Sequence, residues 1–334
     1  MKTLDRFLLH DLSKLFKKCE IGFVIDDIQA YNKEMPSVRI RCYDIMTAME
    51  KIGINVELYK PYKKYDAVIF TKTRTDAAVK RAQKLADTDT LVISDNFCEY
   101  LTDESRADDW ERRNILKILK CSDIAFAYSK EQYKQFKQYH KNVYFINEGV
   151  NETYFEVHKK HEQKEQVTLI YSGYRSNALH TELIKNAISQ LQKEFNCKVT
   201  FICEDDPGIK SFAYEYIPYE QKSILTCLLQ GDIMIAPRPM KDIEKAQHTL
   251  TKIACPMAIG LPVAASPVPS YIDTPALLCY NEREWYKTLR KLIISVDERR
   301  AIGEASREYV KKNLSTDVIA KEYESIIKSY KRDK

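Results

Sequence analysis

The strongest constraint on this 334-residue chain is an alternation that repeats along most of its length. Short apolar runs such as Ala67-Val68-Ile69-Phe70 and Ile233-Met234-Ile235-Ala236 are followed by longer stretches with helical spacing. Runs without a polar alternate belong to strands buried on both faces. Alternating with helices, they make parallel sheets joined by crossover helices. The runs fall at 21–25, 56–59, 67–70, 91–94, 124–128 and 143–146, then at 167–171, 199–203, 214–217, 233–236, 261–265 and 276–279. Between the two series the periodicity is lost over the polar run 156–166, EVHKKHEQKEQ, which reads as a linker. The expectation is an α/β chain of two doubly wound domains facing a cleft: 1–155, 166–315, and a last helix, 316–334. That length suffices for two full cores.

The stretch from Asp232 to Asp273 is the most informative. The run 233–236 stops at Pro237-Arg238-Pro239, crosses a charged segment, and enters a helical pattern over about 246–259 that Gly260 ends; a second apolar run then closes at Ser266-Pro267. Strand, loop, helix, turn and strand put the helix start at the carboxyl ends of the strands, where open parallel sheets bind ligands. Free N–H groups at a helix start favour an anion. Lys245, His248, Thr249 and Lys252 recur there at three- and four-residue spacing, with Arg238 and Lys245 the less central members. That set fits a pyrophosphate, and it equally fits a solvated amphipathic helix start.

Other strand ends supply further candidates at the same edge. Ser172-Gly173-Tyr174-Arg175 follows the run 167–171, with Arg175 a source of positive charge. In the first half, Pro36-Ser37-Val38-Arg39-Ile40-Arg41 opens a helix for which Ser37 is a natural N-cap. Arg39 and Arg41 lie two apart and cannot share a helical face, so at most one of them is expected to point at a ligand, and a surface position suits both equally. Lys72 and Asp95 fall just after strands and are acceptor-side candidates, although Asp95 equally suits a turn cap.

Composition narrows the function class. A net charge of +5 is mild and gives no nucleic-acid footprint. No apolar stretch approaches the length of a membrane span, and the charged start MKTLDRFLLHDLSKLFKKC does not read as a signal peptide. Residues 3–18 have an amphipathic pattern that fits a bilayer surface or packing on their own domain. Nine scattered cysteines without a C-x-x-C pair suggest reduced thiols in the cytoplasm. No G-x-G-x-x-G follows the first strand, which disfavours a dinucleotide-binding dehydrogenase. Asp87-Thr88-Asp89 has D-x-D spacing but precedes a strand, and His158 and His161 have no third ligand partner, so no metal is expected.

The order DI-x-I-A-P, polar loop, basic helix start and Met257-Ala258-Ile259-Gly260-Leu261-Pro262-Val263-Ala264-Ala265-Ser266 resembles the donor-binding half of retaining glycosyltransferases with the GT-B fold, family 4 type. In many of these, Pro262-Val263 sits in a G-x-P-V-x-A-S signature. The resemblance implies that Lys252 faces the donor pyrophosphate and that the backbone at Gly173 approaches a donor phosphate. The helix start 36–43 resembles one beside the cleft in some members. Residues 147–151 resemble the N-G-V-D exit from the first domain, where Gly149 either allows close approach to a ligand or supplies a turn. One departure stands out: Cys255 fills the slot where a Glu usually binds the donor ribose, and Gln247 fills that of a second Glu eight residues earlier.

The resemblance implies two Rossmann-like domains and a last helix crossing back to the first, burying Val318, Ile319, Tyr323, Ile326 and Ile327. It implies a cytoplasmic retaining hexosyltransferase, peripheral at the inner membrane face if the amphipathic start lies on lipid. The partners are a nucleotide sugar and a glycan or lipid-linked acceptor, in surface polysaccharide or glycoconjugate synthesis. No cofactor or metal is expected, the donor being a substrate. A nucleotide-sugar epimerase and a catalytically silent binding protein on the same fold remain open.

Overall fold

A computed structural model describes residues 19–25, 35–96, 109–241 and 249–332. The first domain is one parallel sheet of six strands: β1 (Glu20–Val24), β2 (Asn55–Leu58), β3 (Ala67–Thr71), β4 (Leu91–Asp95), β5 (Ile124–Ala127) and β6 (Val143–Phe145). Their order is β2-β1-β3-β4-β5-β6, with Ile21 opposite both Val56 and Ala67. Each strand of the second domain pairs in parallel too: β7 (Val167–Ser172), β8 (Cys197–Cys203), β9 (Glu215–Pro218), β10 (Ile233–Ala236), β11 (Val263–Ala265) and β12 (Leu277–Leu278), ordered β12-β11-β10-β7-β8-β9. The expected α/β architecture of two doubly wound domains is what the chain adopts.

The strands are apolar throughout because helices cover both faces. In the first sheet Ile69 packs with Phe23, Ile93 and Phe126 on one side. Val68 and Phe70 pack on the other, against Ala78, Val79 and Ala82 of the helix α2 (Asp76–Ala86). The helix before it, α1, spans residues 36–51 and packs Val38, Ile45 and Met49 on the first of these faces. The last helices of the first domain are α3 (Trp110–Cys121) and α4 (Lys130–Tyr139). In the second sheet Leu169 and Phe201 face α5 (Lys185–Glu194), while Ile170 and Met234 face α6 (Ile224–Leu229) and α7 (Thr251–Ala258). Then follow α8 (Glu282–Ile294), α9 (Val296–Leu314) and α10 (Thr316–Arg332). α10 crosses back: Ile319, Ala320, Tyr323 and Ile327 enter the first domain's core, Ile326 packs at its margin, and Val318 is half-buried. No helix among the described residues is long and apolar enough to cross a membrane.

One local expectation is corrected, and two segments show detail beyond the sequence reading. Ser37 is not the N-cap of α1, because Pro36 takes the N1 position that its fixed φ suits and leaves the cap to Met35. Over 178–195 the chain is regularly α-helical only from Lys185: Thr181 Oγ1 donates to the Ala178 carbonyl at 2.7 Å, and Leu179–Ile184 winds as a 3₁₀ turn. The polar run 156–166 is mostly exposed but is held down at two points. Lys159 and His161 are buried because Asp232 accepts from Lys159 Nζ at 3.0 Å and the Gly260 carbonyl lies 2.9 Å from His161 Nε2. Gly303 of α9 presses on the same turn, where an added Cβ would stand 2.2 Å from the Gly260 carbonyl oxygen.

Sheet order fixes where a ligand can enter. Strand direction of travel reverses between β1 and β3 in the first domain and between β7 and β10 in the second, leaving a crevice at the carboxyl ends of those strands.

Candidate functional site

At the second crevice three chain segments converge. β7 ends in Ser172-Gly173, β10 runs into Arg238, and α7 brings Lys252 from its first turn. Lys252 Nζ donates to the Ser172 carbonyl and stands 3.5 Å from the centroid of the Tyr171 ring. Gly173 has φ +151°, and a Cβ there would sit 2.8 Å from Lys252 Nζ. The positive φ is what favours glycine here, while an added Cβ would press most closely on the flexible end of the lysine, which can shift aside.

Arg238 completes the group from a buried position. Its backbone N–H donates to Ser266 Oγ at 2.8 Å, and its Nη1 donates to Asn177 Oδ1 at 2.6 Å and lies 3.4 Å from His180 Nδ1. Burial, and then the like charge of Arg238, push the Lys252 amine well below the usual lysine range. Among the described residues its other electrostatic neighbour is the Cys203 thiol, not a carboxylate. Lys252 and Arg238 thus share a crevice with the buried Tyr171 hydroxyl and with Tyr271, whose hydroxyl burial pushes up to about 12. A crevice lined in this way favours an anion.

Not every expected member belongs to this group. Arg175 is exposed, with Nε donating to the Asp206 carbonyl at 2.9 Å and its backbone N–H to the Glu204 carboxylate at 2.9 Å. Local loop acceptors draw it away from Lys252. Thr249 and Lys252 do not act on one point either, since Thr249 Oγ1 donates to Glu148 Oε2 at 2.5 Å. Lys245 and His248 lie outside the described residues. The helix itself starts at Thr251, with Leu250 as an N-cap that makes no side-chain bond.

The acceptor-side candidates fall into two pairings. Lys72 Nζ donates to Ser37 Oγ at 2.7 Å, bringing together the end of β3 and the start of α1 beside the first crevice. Lys72 holds φ +51°, a left-handed conformation uncommon outside glycine, with its N–H on the Asp95 carbonyl at 3.0 Å. Arg39 and Arg41 do diverge, and α1 is π-helical over Arg39–Tyr43. Both find carboxylates: Arg39 pairs with Asp44 at 3.0 Å, and the fully buried Arg41 donates through Nε to Glu148 Oε1 at 2.7 Å.

Arg41 also lies 3.8 Å from Asp95 Oδ1 and 3.8 Å from the centroid of the Tyr128 ring. Asp95 is therefore neither a turn cap nor exposed at the cleft. Burial raises its carboxyl to about 6 despite Arg41. Tyr128 Oη in turn meets Tyr323 Oη of α10 at 2.7 Å. Gly149 serves this crossing: its Cβ position is 2.9 Å from Thr316 Cγ2, so the glycine admits α10 and not a ligand.

Glu148 is the residue that sequence reasoning passed over. It links Arg41 of the first domain to Thr249 and Thr251 at the start of α7, and Thr251 Oγ1 also donates to its Oε2. Arg41 and the two hydroxyls hold its carboxyl below the ordinary value in spite of burial. The only signal in the sequence was an acid placed at the exit from the first domain. Among the described residues no group of three or more His, Cys, Asp or Glu is arranged to hold a metal.

No family model and no curated protein sequence matches the chain. Solved structures do. Sucrose-phosphate synthase from Thermosynechococcus elongatus is similar with a TM-score of 0.65 at 11% identity, over 95% of this chain and 100% of that one. Anabaena HepE in complex with UDP is similar with a TM-score of 0.63 at 11% identity, over 93% and 100%. A glycosyltransferase from Rickettsia africae gives 0.63 at 15% identity, over 96% and 100%. The two parallel six-stranded sheets, together with these similarities, make this the GT-B fold that such glycosyltransferases share.

Proposed function

We propose that the chain is a glycosyltransferase that moves a hexosyl group from a nucleotide-sugar donor to a glycan or lipid-linked acceptor. The observation that carries this reading is the meeting of Lys252 and Arg238 beside Gly173 at the β7/β10 crevice, with no carboxylate partner for the lysine among the described residues. Breaking the bond between the anomeric carbon and the donor phosphate leaves negative charge on the diphosphate. Lys252 and Arg238 are placed to stabilise that charge more strongly than they stabilise the intact donor. The similarity to a protein solved with UDP supports a nucleotide diphosphate as the ligand class. Retention of configuration and turnover without a metal follow from the family resemblance, as does work on surface polysaccharide at the cytoplasmic side.

The acceptor binds on the first domain in this reading, beside the Ser37–Lys72 pair. Cys255, whose thiol burial pushes up to about 11, is neutral at physiological pH and makes no anionic contact to a ribose. That residue favours the silent binding protein as the second reading. A panel of UDP-, GDP-, CDP- and ADP-sugars tests both, with melting temperature and product analysis as readouts. The transferase predicts stabilisation by one nucleotide class, sugar transfer to an acceptor, and turnover that survives a chelator. Conversion of one sugar nucleotide into another without acceptor identifies an epimerase, and binding without turnover identifies the silent protein. Absence of any nucleotide effect overturns the reading.

A further inference from the structure

We infer that Glu148 is the positioning residue of this diphosphate site, tying the start of α7 to the acceptor-side domain so that Lys252 is presented to the donor across a joined interface. The inference rests on the reading above and adds to it a residue that does not touch the ligand.

α7 needs an external anchor. It has only eight residues, too few to be stable alone. Leu250 provides no side-chain cap, and Pro256 in its second turn has no N–H to offer the Lys252 carbonyl. Thr249 and Thr251 flank the cap and both donate to one oxygen of Glu148. Because Lys252 directly follows Thr251, whatever fixes the hydroxyls fixes the direction in which the lysine leaves the helix. A carboxylate at a helix start is also favoured by the helix dipole.

The anchor is itself held from the first domain. Its other oxygen accepts from Arg41, which is 1% exposed and clamped by Asp95 and the Tyr128 ring. The backbone beside Glu148 is fixed as well: Val150 N–H donates to the Leu314 carbonyl at 2.7 Å, and Thr316 N–H to the Val150 carbonyl at 3.0 Å. One carboxylate therefore joins Arg41, the interdomain crossing and the helix that carries Lys252. Rotation of one domain against the other acts on α7 through this group.

The test is calorimetric titration of the full chain with inorganic pyrophosphate, at a temperature where every variant is folded. Wild type binds, and Lys252→Met does not. Glu148→Ala weakens binding about tenfold, equivalent to about 1.4 kcal/mol. The pair Thr249→Val and Thr251→Val, which keeps shape and removes both hydroxyls, does the same, while Thr249→Ser with Thr251→Ser restores the affinity. A merely structural role lowers the melting temperature of these variants and leaves the dissociation constant unmoved, and that result overturns the inference while the site stands. Should Glu148→Ala fail to fold, the valine and serine pairs decide. If wild type does not bind pyrophosphate, or Lys252→Met binds as wild type does, the site falls and the inference with it.

Discussion

Replacing Lys252 with methionine is predicted to stabilise the free protein while abolishing its response to diphosphates. The amine stands over Tyr171 beside the like charge of Arg238, and burial holds it well below the usual lysine range. In the unfolded chain the same group keeps its proton to far higher pH. Between the two values the unfolded state binds more protons, so stability contributed by this group rises with pH and falls as pH drops through the folded value. Methionine has similar length, fills the same space and removes that slope. Because Lys252 is only half-buried overall, the expected gain near neutral pH is about 1 kcal/mol, the low end for exchanging an uncompensated buried charge. For a domain of this size that raises the melting temperature by roughly 2–4 °C. Thermal melts of both proteins from about pH 6 to about pH 9 measure it, with and without a nucleoside diphosphate. A methionine variant less stable than wild type across that range would refute the reasoning, since the bond to the Ser172 carbonyl would then outweigh the charge.

Two other perturbations follow from packing and burial. Gly303→Ala puts a Cβ 2.2 Å from the Gly260 carbonyl oxygen, a backbone atom that cannot swing aside. Although alanine is the better helix former by about 1 kcal/mol, the clash should leave the protein less stable by about 2 kcal/mol. A melting temperature equal to or above wild type would contradict it. Asp95, raised to about 6 from 3.8, binds its proton more readily in the folded state. Its contribution to stability therefore grows as pH falls from about 7 towards about 4 and is lost as pH rises through the folded value. In Asp95→Asn that pH-dependent gain disappears, and an unchanged profile in denaturant titrations would show that Asp95 does not titrate there.

The fold was legible because apolar strand runs such as 67–70 and 233–236 carry their own evidence of two-sided burial, while Gly173 marks the end of one strand and Gly260 the end of a helix. The meeting of Gly173 with Lys252 was legible for the same reason: both lie at the carboxyl edge of one sheet. Arg175 and Arg238 show the limit. Each is a cation just beyond a strand, and only the acceptors around them separate the two. The Asp206 carbonyl holds one outward, and Asn177 Oδ1 holds the other in the crevice. Ser37 fitted a cap by residue type, but Pro36 had already set the helix start. Glu148 finds its partners 107 and 101 residues away, at Arg41 and Thr249, so no local spacing could reveal it. Within the mostly exposed run 156–166, the burial of Lys159 and His161 could not be read locally because it depends on Asp232 and Gly260, far along the chain.

The most direct test of the central claim is a crystal structure of the protein soaked with the nucleoside diphosphate that best raises its melting temperature. The account predicts the terminal phosphate against Gly173, with its oxygens within hydrogen-bond distance of Lys252 Nζ and its charge beside Arg238. A diphosphate bound elsewhere, with Lys252 still turned onto the Ser172 carbonyl, would contradict it.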